Sequence, residues 1–262
     1  MTSARVPGTV LGTWSAGEPV TTDHGAWSVA VAEFLGCGFR VAVPRGGGLA
    51  ALDAARGRAE ELACLLGATF DPAPWVAAAE EVGDGAPLLL EGGWESVFRG
   101  PLGPPLTRVV LGEGPGPERE AVAVELPWRA GVGPLASLPL ISTHEQRAAL
   151  EHLGTEHPDQ SCVGLWRTPD GRLVDTTAGS VLARDEDGRW LHPEPGAGVV
   201  ESWLSNRIHE ELAARPAPLD GLPTTLVAVD VWGTVSALST QGAADLSARA
   251  QVRAAVSSTL GT

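Results

Sequence analysis

The 262-residue sequence contains no lysine and no tyrosine, so all 18 of its basic residues are arginine. Arginine stays protonated in proteins and cannot replace an amine nucleophile. Schiff-base chemistry on a lysine side chain is therefore excluded for these residues. The same absence removes the lysine of a phosphate-binding P-loop. Gly46-Gly47-Gly48 also lacks the GxGxxG register, so it gives little support to nucleotide binding. Isoleucine, asparagine, methionine and phenylalanine are scarce as well, while Arg, Ala, Gly and Pro abound, as in a GC-rich coding sequence. Codon bias lowers a lysine count; a count of zero bears on chemistry. Only three cysteines occur, Cys37, Cys64 and Cys162, dispersed and odd in number, so no disulfide framework is expected and the cytoplasm is the expected compartment. No apolar run reaches the length of a membrane span, and no basic stretch followed by an apolar one opens the chain.

What is present reads as a globular protein: 44% hydrophobic and 19% charged residues, enough chain for one large core or two modest ones. The formal net charge of −14 disfavours nucleic acid and anionic membranes as partners. A small anion stays acceptable, because a local arginine cluster outweighs a distant field. In the first half, strands are expected at 9–14, 40–44, 87–91, 107–111 and 121–126. The stretch 26–34 is apolar. The clearest helix is 49–66, where Leu52, Ala55, Ala59, Leu62, Ala63 and Leu66 fall on one stripe and Gly67 stops it. A shorter helix is expected at 75–82. A domain boundary near residue 127 divides an N-terminal α/β domain, 1–127, from a C-terminal α+β domain, 128–262.

In the second half Ser142-Thr143-His144-Glu145 has capping-box spacing and opens a helix to about 153. Strand 162–166, the turn Pro169-Asp170-Gly171 and a returning strand 173–184 form a hairpin. A strand at 190–191, a helix at 199–212, strands at 225–230 and 235–238 and a helix at 243–258 complete the chain.

The hairpin Asp170-Gly171-Arg172-Leu173-Val174-Asp175 resembles the "DGxVxE" turn and strand of the class IV aminotransferases, the group of branched-chain aminotransferases and aminodeoxychorismate lyases. His192-Pro193 stands where that family has Thr-Pro, and the 199–212 helix stands where its "GxLPGxTR" phosphate loop leads. Asp23-His24-Gly25 is similar to its "DRG" turn, and 49–67 to its "HLxRLxxSAxxLG" helix with Arg58 in the phosphate-arginine position. The resemblance implies an α+β, two-domain class IV aminotransferase-like fold with the ligand cleft between the domains, and a homodimer. The departures fall on the cofactor site. Where the family's lysine stands, some 33 residues ahead of Asp175, the chain reads Ile141-Ser142-Thr143-His144. The glutamate that meets the pyridine nitrogen is Asp175. The "SN" that follows is Gly179-Ser180, and the phosphate cup is Val200-Glu201-Ser202-Trp203-Leu204, an acid and an indole in place of small residues. On this reading no cofactor is expected, since a pyridoxal phosphate Schiff base cannot form.

Each candidate residue has a functional and a plainer role. His144 is the acid/base candidate, or an exposed helix-start residue. Ser142 or Thr143 is a nucleophile, or more simply a helix cap worth ~1 kcal/mol; no Gly-x-Ser-x-Gly elbow supports the first role. Asp175 anchors or deprotonates a ligand, or is a polar strand residue. Arg58 binds a carboxylate or phosphate, or snorkels at a helix margin. Glu201 and Trp203 fill the vacated phosphate site, or Trp203 belongs to the core. Of the histidines, His152 and His157 alone come near a pair, with no other ligand at metal spacing, so no metal site is expected. Nine tryptophans belong mostly to core or interface, with one or two free to line an aromatic pocket.

The favoured expectation is a pyridoxal-phosphate-independent enzyme acting on a small carboxylate-bearing substrate by elimination, cyclisation or isomerisation, in a setting such as specialised metabolism. Arg58 orients the anion, His144 and Asp175 move protons, and Ser142 or Thr143 supplies a hydrogen bond. Two alternatives stay open: a non-catalytic binding or scaffold descendant with a filled cavity, and an ordinary pyridoxal enzyme whose lysine is replaced at Ser142 or Thr143.

Overall fold

A computed structural model describes residues 7–15, 18–20, 38–82, 85–93, 106–130, 144–195, 202–221, 223–240 and 242–262. The chain forms two compact units, Met1–Gly114 with Leu138–Thr143, and Pro115–Ser137 with His144–Thr262. The "DRG"-like turn at 23–25 and the apolar stretch 26–34 lie outside the described residues.

In the first unit, β1 (Val10–Ser15), β2 (Glu18–Pro19), β3 (Gly38–Val43), β4 (Leu88–Gly93) and β5 (Leu106–Leu111) pair antiparallel in the order β2-β1-β5-β4-β3. Two helices accompany them, α1 (Gly48–Leu66) and α2 (Ala73–Val82). The helical stripe read from sequence is the buried face of α1: Leu52, Ala55, Ala59, Leu62 and Ala63 are all buried. Gly67 closes the helix in the left-handed region at φ +64°, a conformation costly for other residues. Alternation along β3 sends Phe39 to one face of the sheet and Arg40 to the other. Phe39 meets the ring of Trp75 in α2 edge-on, 5.4 Å between centroids. Its paired residue must be small: a Cβ on Gly92 would lie 2.4 Å from the Phe39 ring.

The second unit is built on eight strands: β6 (Arg119–Glu125), β7 (Cys162–Arg167), β8 (Leu173–Thr176), β9 (Ser180–Arg184), β10 (Trp190–Pro193), β11 (Arg215–Ala217), β12 (Thr225–Val229) and β13 (Val235–Ser239). Their order is β11-β10-β9-β12-β13-β6-β7-β8. β6 lies before residue 127 yet runs parallel between β13 and β7, so it belongs to this sheet. The expected boundary near 127 thus falls inside the second unit. The helices are α3 (His144–Glu156), α4 (Trp203–Glu211) and α5 (Leu246–Leu260). β12 is buried on both faces. Val227 and Val229 join a cluster with Leu204 and Ile208 of α4 and Val252 of α5, while Leu226 and Ala228 join one with Val181 and Ala183 of β9. That explains its unbroken apolar run.

α4 begins at Trp203, later than the expected 199. Ser202 caps it: its Oγ accepts the Ser205 N–H at 3.0 Å, and its N–H donates to Ser205 Oγ at 2.9 Å. The single returning strand expected over 173–184 is broken at 177–179 into β8 and β9, because Gly179 takes φ +121° and turns the backbone. β11 has no counterpart in the sequence reading, since its three residues carry no alternating pattern.

His192 of β10 and His209 of α4 stack face to face, 3.9 Å between ring centroids and 10° from parallel. The Nε2 of His209 is buried without a hydrogen-bond partner. Burial first, and the neighbouring His192 second, push the His209 pKa down from 6.5 to about 4. A folded value below the unfolded one means protonation favours the unfolded chain, so this pair costs stability as pH falls from 6.5 towards 4. Replacing His209 with leucine is expected to remove up to about 3 kcal/mol of that acid-side loss. Urea midpoints of both proteins between about pH 4 and 7 check this; parallel curves would refute it.

Candidate functional site

Asp175 lies on β8, paired across the sheet with Trp166 of β7. One carboxylate oxygen accepts the Thr176 N–H at 2.8 Å. The other has no hydrogen-bond partner among the described residues. The side chain keeps some exposed surface, yet protein crowds its carboxyl closely. Desolvation lifts its pKa from 3.8 to about 7, opposed by the Thr176 hydrogen bond. The result is a carboxyl poised near neutrality with one oxygen open, which is what proton transfer or a cationic N–H partner requires.

A tight turn fixes that carboxyl in place. Thr176 Oγ1 donates to the Gly179 carbonyl at 2.7 Å and accepts the Ala178 N–H at 3.1 Å. Thr177 is tied twice to β7: its N–H donates to the Gly164 carbonyl and its Oγ1 accepts the Gly164 N–H, both at 2.9 Å. Gly179 presses against the turn after β12, where a Cβ would lie 2.3 Å from the Val229 carbonyl oxygen. In that turn the Asp230 carboxylate accepts the Trp232 and Thr234 N–H groups at 2.9 and 2.8 Å. The turn's amides are thus occupied by the chain's own acid.

The start of α3 is bound to the same turn, since Gln146 Nε2 donates to the Thr177 carbonyl at 2.7 Å. Gln146 lies in the first turn of α3 and Thr177 two residues beyond Asp175, so the hydrogen bond ties the start of that helix to the end of the acid's strand. Ser142 and Thr143, and with them Glu201, lie outside the described residues, and His144 is described in its backbone only. Trp203 is partly buried and packs against the cluster of Leu204, Ile208 and Val256. Arg58 belongs to α1 in the first unit, where it pairs with Glu61 at 3.0 Å. A pocket of about 400 Å³ in that unit, lined by Val43, Pro44, Leu49, Leu52 and Leu88, holds none of the expected site residues. Among the described residues no three His, Cys, Asp or Glu side chains are placed to share a metal, and no helix is long and apolar enough to cross a membrane.

Sequence reasoning missed Gln146 and Asp230, and noted Gly179 as a departure from the "SN" stretch without seeing the turn it makes. The first is an ordinary helix residue by pattern. A lone glycine inside an apolar alternation was the available signal for the Gly179 turn. Asp230 before Gly233 was the signal for the other turn.

No family model and no curated protein matches the sequence. Solved structures do. The branched-chain amino acid aminotransferase of Thermobaculum terrenum in its PLP form is 11% identical, covers 97% of this chain and 95% of its own, and has a TM-score of 0.73. An aminotransferase from Brucella abortus, bound to the cofactor PLP, is 13% identical with coverages of 97% and 100% and a TM-score of 0.66. A putative 4-amino-4-deoxychorismate lyase from Legionella pneumophila is 12% identical, with coverages of 80% and 85% and a TM-score of 0.64. The chain has the α+β fold of the class IV aminotransferases.

These structures correct the expectation of no cofactor. Two of them carry pyridoxal phosphate, so the scaffold is one on which that group is held. A missing lysine removes a covalent attachment; it does not remove the contacts that retain a ring. Asp175 fits such a ring, because its open oxygen and near-neutral carboxyl suit a pyridinium N–H. The amides of the 230–234 turn do not suit a phosphate, since Asp230 occupies them.

Two outcomes follow. Gly179→Ala is expected to destabilise the protein by about 3 kcal/mol or more, measured by urea denaturation, because backbone and not a flexible side chain blocks the new Cβ. For Asp175, a folded pKa above the unfolded one means stability is intact below about pH 4 and is lost as pH rises through 7. Asp175→Asn is expected to match wild type near pH 3.5 and to exceed it by up to about 4 kcal/mol near pH 8, by the same denaturation measurement.

Proposed function

We propose that the protein is an enzyme that works on a small carboxylate-bearing substrate by acid–base chemistry, of the elimination, cyclisation or isomerisation kind. Pyridoxal phosphate, where it takes part, is held through noncovalent contacts. The observation that carries this reading is Asp175: a crowded carboxyl with a pKa near 7, one oxygen open, on a strand tied to the start of α3. A group titrating there holds a proton and releases it at little cost near neutral pH.

When bound, pyridoxal phosphate supplies an electron-poor ring that stabilises negative charge on a substrate carbon. Asp175 meets the pyridine nitrogen in that case, and the added N–H partner lowers its pKa again. His144 moves the second proton, Ser142 or Thr143 donates a hydrogen bond to the substrate, and Arg58 meets an anionic end, with Glu201 and Trp203 bordering the site. The 262 residues provide no lysine amine to bond the cofactor. A homodimer and a cytoplasmic setting belong to the same proposal.

Deuterium wash-in at the carbon beside the carboxylate tests the chemistry, read by proton NMR over a panel of small amino and hydroxy acids, with and without pyridoxal phosphate. Exchange is expected, reduced about 10²-fold or more in Asp175→Asn. Absorbance titration is expected to show saturable pyridoxal phosphate binding, weaker in Asp175→Asn, with nothing fixed to the chain by borohydride. No exchange with any acid under either condition would sink the enzyme reading.

A further inference from the structure

The cavity in the first unit is built where two strands and two helices meet. Val43 and Leu88 pair where β3 ends and β4 begins. Both line the opening of about 400 Å³, together with Leu49 and Leu52 of α1 and Ala79 of α2. Side chains are missing where they would close it. Gly48 and Gly85 border the cavity at φ +53° and +99°, and a Cβ on either would meet nothing within 4 Å. Protein interiors are otherwise close-packed, with few voids larger than a water molecule. Small-molecule sites occupy roughly 300–1,000 Å³, and this cavity falls among them.

Two properties of the lining decide what fits. The first is an apolar wall. Val43, Leu52 and Leu88 are buried core residues, whereas Leu49 keeps 72% of its surface. Leu49 therefore stands at the mouth, where an apolar body would take it out of water. The second is a single charge. Among the described lining residues Glu80 alone is ionised, and no ion pair or hydrogen bond with a described residue engages its carboxylate. Glu80 lies in the last turn of α2, which holds no basic residue, so the negative end of the helix dipole adds to its charge. Gly48 and Leu49 open α1, whose positive end repels a cation. The two helix ends give the cavity a direction: a cation belongs at Glu80, with its apolar body along Leu52 and Leu88.

We propose that this cavity binds a small primary amine carried on an apolar chain or ring. An ammonium group presents a compact charge and three N–H donors to the carboxylate. A neutral molecule of the same shape leaves Glu80 unpaired, and an acid sets like charges together. Neither Asp175 nor Arg58 lines the cavity, so the site is independent of the reaction proposed above.

Calorimetric titration of the full chain with hexylamine tests the site, with hexanol and hexanoate as the neutral and anionic counterparts. Pyridoxal phosphate is left out, because an amine condenses with its aldehyde. Saturable binding of hexylamine is expected, about fivefold tighter than hexanol, the most that an exposed ion pair adds to apolar burial. Hexanoate is expected to bind more weakly than hexanol. Glu80→Gln is expected to erase the difference between hexylamine and hexanol. Glu81→Gln removes the neighbouring exposed acid, which does not line the cavity, and is expected to preserve that difference. Ala79→Leu, at a partly exposed helix position, is expected to weaken both ligands by filling the space. Asp175→Asn is expected to bind hexylamine as the wild type does, which separates this site from the carboxyl on β8. No saturable binding, equal affinity for hexylamine and hexanol, equal effects of the two glutamine variants, or loss of binding in Asp175→Asn would overturn the site.

Discussion

The turn at 176–179 can exist only because Gly179 has no side chain. Its backbone lies where a Cβ would strike the Val229 carbonyl and the Asp230 Cα, at φ +121°. That close approach locks the end of β8 against the turn between β12 and β13, and three further constraints follow from it. β9 leaves in register with β12, from Ser180 opposite Val229 to Arg184 opposite Thr225. Thr177 is fixed to Gly164, which anchors β8 on β7. The Thr177 carbonyl is left to receive Gln146, which brings in α3. Asp175 sits two residues before this knot closes on Gly164.

Electrostatics in this chain are divided between a surplus outside and rationed charge inside. The chain carries a formal charge of −14. Most of its ion pairs are exposed and worth little. The buried charges are few and individually placed. Arg167 is satisfied by Glu125 and by the carbonyls of Gly171 and Gly221, which knits β7 to the hairpin turn. Glu91 is satisfied twice over. Asp175 is half-buried, has one oxygen with no partner among the described residues, and has its pKa lifted to about 7. Saturated charges build the frame here, and an unsaturated one is what the proposed function draws on.

The elements that sequence revealed are those whose signal is local. The α1 stripe, the Gly67 stop and the Pro169-Asp170-Gly171 turn need only neighbours within a few residues, and each is found as read. The hidden ones depend on partners far along the chain. β6 reads as a strand by its apolar residues, but nothing local says that it pairs in parallel with β13, more than a hundred residues away. The break after Thr176 is set by the β12–β13 turn, again distant in sequence. For the candidate site, Asp175 was legible through the hairpin motif around it. The pairing of Glu91 with Arg40 and Arg108 was not, because three single residues on separate strands form no pattern until the register is known.

An absence of lysine and an absence of cofactor are physically distinct. A covalent bond to an enzyme amine fixes where a cofactor's reactive carbon lies, and it is exchanged when substrate arrives. Retention of the ring between those moments depends on hydrogen bonds, charge and packing, which a chain without lysine keeps the means to supply. Asp175, where the resembling family has a glutamate longer by one methylene, would supply one such contact in the function proposed here, and it stands on a strand tied to the Gly179 turn. Rigidity matters more than reach for this purpose. A carboxyl that cannot relax toward water keeps its raised pKa, and the energy stored in that unfavourable state is released when a cationic N–H arrives. Asp175 thus has one oxygen short of a partner among the described residues, so binding a cationic group there would cost little reorganisation of the chain.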